Sequence, residues 1–267
     1  MSLGDEVGIF YDVPDEEYHG LKIPSNSSVR KFAELPALYE LEYLEAEEDE
    51  SMTQAFQMGK VFEVLVLEPQ KAVQICTFST KTYDSKEAVG CIGAQRIPIA
   101  AQDLPKVEQW AKCMLERYPF NSETKKQVTG IVDFPFGEKT VRVKIRMDEV
   151  DFENRIIYDY KLMREIDPEQ FEKDAWDKGY DTQNALYCKA MDILAPGKPW
   201  KFVFRVQMKH PYGFDTRFTT KYWFNTESIE KAWSHVSMQL QIMASTTAYR
   251  GYKEGCLSTE RFKWGRG

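Results

Sequence analysis

From Gln127 onward the apolar residues stop recurring at helical spacing and begin to alternate, a change of period that constrains the fold more than any other feature. Gln127 to Phe134, Thr140 to Val150 and Arg155 to Leu162 read as three consecutive strands, the first two joined at Phe136-Gly137-Glu138. In the middle strand Val141, Val143, Ile145 and Met147 take the odd positions, and Arg142, Lys144, Arg146 and Asp148 the even ones. Successive side chains of a strand face opposite ways, so one face is core and the other is a basic row ending in a carboxylate. In the next strand Asp159 and Lys161 share a face for the same reason.

The connection Asp151-Phe152-Glu153-Asn154-Arg155 decides which residues meet. A tight turn at Glu153-Asn154 pairs Phe152 with Arg155, Asp151 with Ile156, and so on until Asp148 stands opposite Asp159. Directly opposed Cβ atoms lie about 4.5 to 5.5 Å apart. Two carboxylates at that spacing repel unless a cation sits between them, and hard oxygen ligands favour Mg²⁺ or Mn²⁺. Lys161 then points to the same pocket. A slip in register breaks the pairing, and two acids and a lysine at this spacing also occur on solvated hairpins. Here Arg155-Ile156-Ile157-Tyr158 is too apolar for a free hairpin, and charges at the edge of a buried sheet need a reason.

The flanking segments predict an α/β fold, a central mixed sheet flanked by helices. Upstream, Ser25 to Glu47 reads as a capped helix that Pro36 kinks or splits, and Met52 to Glu68 as a largely apolar helix ended by Pro69. Ile75 to Ala101 is irregular with one short strand at Arg96 to Ala100, and Gln102 to Arg117 returns to helix. Downstream come helices at Asp167 to Lys178 and Tyr180 to Leu194, strands at Lys201 to Lys209 and Arg217 to Phe224, and a last helix from Thr226. No linker, repeat or low-complexity tract divides residues 1–267, so one domain is expected.

Within the apolar run from Ala55 to Leu67, Glu63 is the only acid, and a carboxylate buried there is costly unless it binds a cation or is hydrogen-bonded. Gly59, one turn earlier on the same face, leaves room for another backbone to approach. The net charge is −7, so any surface for a polyanion must be local. The acidic run Glu45 to Glu50 reads as a solvated loop or helix end. Cys76, Cys91, Cys113, Cys188 and Cys256 are scattered without a C-x-x-C pair, and the histidines stand apart, which argues against a zinc knuckle or an iron-sulfur cluster. With no signal peptide or bilayer-length apolar run, no membrane association and a reduced, cytoplasmic setting are expected.

Ile145-Arg146-Met147-Asp148 followed by Ile157-Tyr158-Asp159-Tyr160-Lys161 resembles motifs II and III of the PD-(D/E)xK nucleases, and more narrowly the RecE (exonuclease VIII) type of prophage exonuclease. Met58-Gly59-Lys60-Val61-Phe62-Glu63 is similar to that group's G-x-x-(F)-H/E helix, and Tyr180, Gln183 and Tyr187 to its Q-x-x-x-Y helix. Near the start, Tyr18-His19, Ser25-Asn26-Ser27 and Pro36-Ala37-Leu38-Tyr39 resemble its opening helix. The resemblance implies a restriction-endonuclease-like fold with Glu63, Asp148 and Asp159 as ligands of one or two Mg²⁺ or Mn²⁺ ions and the Tyr160 carbonyl as a further one. Lys161 would orient or deprotonate the attacking water, and Gln183 would help hold the site. RecE-type nucleases carry histidine where Glu63 stands, lambda-type exonucleases use glutamate there, and Met147 replaces the proline of the name motif.

The resemblance also implies exonucleolysis from duplex DNA ends, 5′ to 3′, in phage-type recombination, with a single-strand-annealing recombinase as partner and a ring trimer or tetramer as assembly. Arg142, Lys144 and Arg146, sharing a face with Asp148, are candidate phosphate contacts, with Tyr187 a further DNA contact and Arg30 a candidate for a terminal phosphate. The competing readings are an endonuclease on the same fold and a DNA-binding or scaffold protein without catalysis. No phosphate-cradling glycine loop or nucleophile elbow favours a metabolic enzyme.

Overall fold

The alternating stretch does form a hairpin ladder. A computed structural model describes residues 3–45, 53–210 and 215–246; the acidic run at 46–50, the expected helix end at Glu47 and start at Met52, and Cys256 lie outside them. Strands β4 (Lys125–Phe136) and β5 (Lys139–Asp151) pair antiparallel along nearly their whole length, turning at Gly137, whose φ of 67° suits a residue without a Cβ. Strand β6 (Ile156–Met163) pairs antiparallel with β5 and parallel with β7 (Lys201–Met208). The short strands β1 (Gly8–Phe10) and β8 (Thr219–Tyr222) close the edges, giving the order β1-β4-β5-β6-β7-β8. The sheet is mixed because the β6–β7 connection carries helices α7 (Pro168–Lys178) and α8 (Tyr180–Leu194), a crossover long enough to return parallel.

Helices cover both faces. On one, α8 and α9 (Thr226–Ser245) pack with Val143, Ile145, Met147, Ile157, Phe202 and Phe204 in one buried cluster. Each fully buried Phe or Ile there stabilises the fold by about 1.5–3 kcal/mol. Gly130 lets α8 approach: a Cβ at that position would stand 2.9 Å from Ile145 Cγ1 and 3.0 Å from Leu194 Cδ1. On the other face, α4 (Gln54–Leu67) and α6 (Leu104–Arg117) pack Val61, Phe62, Val66, Trp110 and Met114 around Tyr160.

The split at Pro36 is one of the two expected outcomes: helix α2 (Asn26–Glu34) ends where Leu35 is held extended ahead of the proline, and the short helix α3 (Pro36–Tyr39) follows. Several elements differ from expectation. Ahead of α2 lies an unexpected helical turn, α1 (Asp15–Gly20). The stretch from Ile75 to Ala101 is ordered: strand β2 (Ile75–Phe78) pairs parallel with β3 (Ile97–Ala100), helix α5 (Lys86–Gly93) connects them, and Cys76 is disulfide-bonded to Cys91, a pairing that their spacing does not announce. No helix among the described residues is long and apolar enough to cross a membrane.

Candidate active site

The β5–β6 hairpin carries the centre of the site. Asp151 pairs with Ile156, Val150 with Ile157 and Glu149 with Tyr158, which is the register expected from a tight Glu153-Asn154 turn. The turn itself is wider: residues 152–155 lie outside the ladder. The Asp151 carboxylate accepts hydrogen bonds from the Asn154 backbone N–H and from Asn154 Nδ2, each at 2.9 Å, and Arg155 adopts a left-handed φ of 56°. Continued by one pair, that register sets Asp148 opposite Asp159. There the ladder yields to a side chain, as the Tyr160 N–H donates to Asp148 Oδ2 at 2.8 Å.

Asp159 is buried and both of its oxygens are engaged. Lys161 Nζ lies 2.7 Å from Oδ2, and Gln183 Nε2 of α8 donates to Oδ1 at 2.7 Å. The Lys161 ammonium also stands 4.9 Å from the centre of the Tyr180 ring. Glu63 reaches in from α4 and accepts a hydrogen bond from Gln127 Nε2 at 3.1 Å. The residue is exposed to solvent rather than sealed inside the helix packing, so the expected burial is corrected: α4 presents this position beside Gln127 at the surface.

The electrostatics are those of crowded carboxylates. Loss of hydration holds the Asp148 carboxyl well above its usual range, and the charges of Asp159 and Glu63 push it further, against Lys161 and the Tyr160 N–H. Crowding by the surrounding protein likewise raises Glu63, opposed by the Gln127 hydrogen bond and by Lys161. For Lys161, burial alone would lower the pKa; Asp159 and Asp148 outweigh it and hold the ammonium above its ordinary value. The two aspartates therefore hold Lys161 as an ammonium. Among the described residues no three His, Cys, Asp or Glu side chains stand positioned together to hold a metal ion. The donor set nonetheless fits a hard divalent cation: the charges of Asp159 and Glu63 push up the Asp148 carboxyl and that of Asp159 pushes up Glu63, a repulsion that such an ion relieves.

The remaining candidates divide. Tyr187 is buried beside the site, its phenol pushed up by burial and then by Asp159. The basic row of β5 is taken up by the N-terminal segment. Lys144 is buried, donating to the Tyr18 and Leu21 carbonyls at 2.7 and 2.8 Å. Arg142 grips the Asp133 carboxylate at 2.7 and 2.8 Å and reaches the Gly4 carbonyl at 2.9 Å. Arg146 pairs with Asp15 at 2.9 Å and donates to the Val13 carbonyl at 3.1 Å. Arg30 binds the carbonyls of Lys178 and Asp177 at the end of α7. Gln127, which touches both Glu63 and Arg146, is a site residue that the sequence does not single out: it sits in a strand that also holds Lys125, Lys126, Thr129 and Asp133.

A "putative exonuclease" from Eubacterium rectale shares the fold, with a TM-score of 0.51 at 17% identity over 86% of this chain and 84% of that one. The protein SSO0001 reaches a TM-score of 0.31 at 12% identity, covering 79% of this chain and 84% of its own. Scheffersomyces stipitis Rai1 reaches 0.29 at 12% identity, covering 91% of this chain and 76% of its own. No curated protein sequence matches the chain. Residues 25–250 match the family described as PDDEXK-like domain of unknown function (DUF3799). With the mixed sheet, the paired hairpin acids and the adjacent lysine in place, the chain belongs to that PDDEXK-like family, on the α/β fold of the PD-(D/E)xK superfamily.

Proposed function

We propose that this chain is a metal-dependent deoxyribonuclease that hydrolyses phosphodiester bonds from the ends of duplex DNA. The observation that carries it is the β5–β6 arrangement, with Asp148 held by the Tyr160 N–H and Asp159 held between Lys161 and Gln183, inside a PDDEXK-like domain. Glu63, Asp148, Asp159 and the Tyr160 carbonyl would hold one or two Mg²⁺ ions, with Mn²⁺ as a substitute. Such an ion, when bound, supplies charge at the phosphoryl oxygens and an acidified water. Lys161, its ammonium stabilised by the two aspartates, orients the water and donates to the scissile phosphate. Gln183 fixes the Asp159 rotamer, and Tyr187 lies buried beside them.

The end-directed activity draws support from the "putative exonuclease" description of the Eubacterium rectale fold neighbour. The 5′ to 3′ direction, a role in phage-type recombination beside a single-strand-annealing recombinase and assembly as a ring are what the RecE-type resemblance implies, and a single functional domain over residues 1–267 rests on the lack of a linker or repeat in the sequence. The test is Mg²⁺-dependent digestion of linear duplex labelled at either terminus, beside covalently closed circles. Release of 5′-terminal label with circles intact is expected. Circle cleavage would make the protein an endonuclease on this fold, and binding without cleavage of either would make it a scaffold.

A further inference from the structure

We propose that Gln127 is a positioning residue for Glu63, held by a strained backbone so that its amide ties that acid to the Asp148 end of the hairpin. The inference rests on the reading of Glu63, Asp148 and Asp159 as metal ligands and adds a group that this reading does not use.

The backbone is the first observation. Gln127 has a φ of 49°, in the left-handed region, although it lies inside β4 and is not glycine. A residue held there costs on the order of 1–3 kcal/mol and persists only where its surroundings require it. The ladder gives way at the same point. Lys126 pairs with Glu149 and Val128 with Met147, while Gln127, which stands opposite Asp148, pairs with neither strand neighbour. An extended residue would complete that pairing, so the sequence gives up both a favourable φ and a ladder position beside the first hairpin acid.

The side chain is the second observation. Gln127 is buried, at 7% exposure, and its amide bridges two elements: Nε2 donates to Glu63 Oε1 at 3.1 Å, and Oε1 accepts from Arg146 Nε at 2.8 Å. The direction of the amide is set by chemistry. A guanidinium can only donate, so it takes the amide oxygen and turns the NH₂ toward the carboxylate. Arg146 is itself anchored by Asp15 and the Val13 carbonyl. Without this tie, a solvent-exposed glutamate on α4 has several staggered rotamers open to it, and few of them aim its oxygens at residues on β5 and β6. A ligand's hydrogen-bond partner of this kind orients it before the ion arrives.

Two variants separate positioning from folding. Gln127→Gly accepts the left-handed φ without strain and removes the amide; Gln127→Met keeps the bulk and removes the hydrogen bonds. Calorimetric titration with Mn²⁺, beside thermal unfolding, should show a Tm for Gln127→Gly at or above that of the wild type. Mn²⁺ affinity should weaken by about 10- to 100-fold in both variants. In end-labelled duplex digestion, the Mn²⁺ concentration for half-maximal activity should rise in parallel, while kcat at saturating Mn²⁺ falls less. Affinity indistinguishable from the wild type in both variants, whatever happens to Tm, overturns the proposal. A wild type that binds Mn²⁺ without cutting DNA sinks the nuclease reading and leaves the affinity comparison decisive for Gln127. A wild type that binds no Mn²⁺ overturns the ligand assignment and this inference together.

Discussion

Replacing Glu149 by leucine should destabilise the protein by about 3–5 kcal/mol, because it strands a buried positive charge. Glu149 is 1% exposed and lies on the reverse of the hairpin from Asp148, where it accepts from Arg205 Nη1 at 2.6 Å and from the Tyr160 hydroxyl. The Arg205 side chain is 11% exposed, with its guanidinium 3.7 Å from the centre of the Tyr158 ring. Without the carboxylate that cation keeps only aromatic faces, which return about 1–2 kcal/mol of a much larger desolvation cost. At roughly 2–4 °C per kcal/mol for a chain of this size, the melting temperature should fall by about 6–20 °C. Removing both charges, in Glu149→Leu with Arg205→Met, should recover most of the loss, since an apolar pair of similar volume replaces a buried ion pair at little net cost. Urea unfolding of the wild type, both single variants and the double variant gives the coupling directly. Additive losses, with the double variant worse than either single one, would refute the reasoning and make Arg205 a packing residue.

Lys161→Ala should lower kcat by about 10²–10⁴-fold while leaving duplex binding in place, read by single-turnover cleavage and by gel shift; unimpaired cleavage would remove the lysine from the chemistry. Asp148→Asn, which relieves the crowding with Asp159 and Glu63, should raise the metal-free melting temperature by the equivalent of about 1 kcal/mol at neutral pH while abolishing cleavage. Mn²⁺ at 100 times its Kd should stabilise the wild type by about 2.7 kcal/mol, and the variant by much less. Gly179 has a φ of 69°, and a Cβ there would clash with the Arg30 side chain at Nε and Cδ. Gly179→Ala should therefore cost about 1–3 kcal/mol by chemical unfolding, and less in an Arg30→Ala background, where the clash is gone and only the left-handed backbone remains.

What could be read from the residues was whatever depended on period and burial. The strands at 127–134, 140–150 and 155–162, the helices at 167–178 and 180–194 and the mixed sheet all follow from alternation or helical spacing, and all are present. Short elements escaped. Gly8–Phe10, Asp15–Gly20 and Ile75–Phe78 span too few residues to establish a period, and the parallel pairing of Ile75–Phe78 with Ile97–Ala100 is a long-range contact that local pattern does not encode. In the site, Asp159, Lys161 and Gln183 meet as expected, since two share a strand face and the third comes from the crossover helix packed on that face. The basic row of β5 was legible as a row. That Val13, Asp15, Tyr18 and Leu21 would come back to occupy Lys144 and Arg146 was not, because charge pattern along one strand says nothing of which segment covers it.

The hairpin register came out as the tight turn would give it, although the turn is not tight, and the reason lies on the sheet's reverse face. Tyr158, Tyr160 and Leu162 alternate with Asp159 and Lys161, and the tyrosines pack into the cluster of Val61, Trp110 and Met114 beneath α4 and α6. A slip of β6 by one residue would drive Asp159 and Lys161 into that apolar cluster and turn the tyrosines out of it. An unpaired buried charge costs several kcal/mol, far more than the few tenths to 1 kcal/mol by which one cross-strand pair differs from another. Burial behind the strand therefore selects the pairing in front of it, and residues 152–155 need only span the gap. The acids meet because the tyrosine rings behind them have one side of the sheet on which to lie.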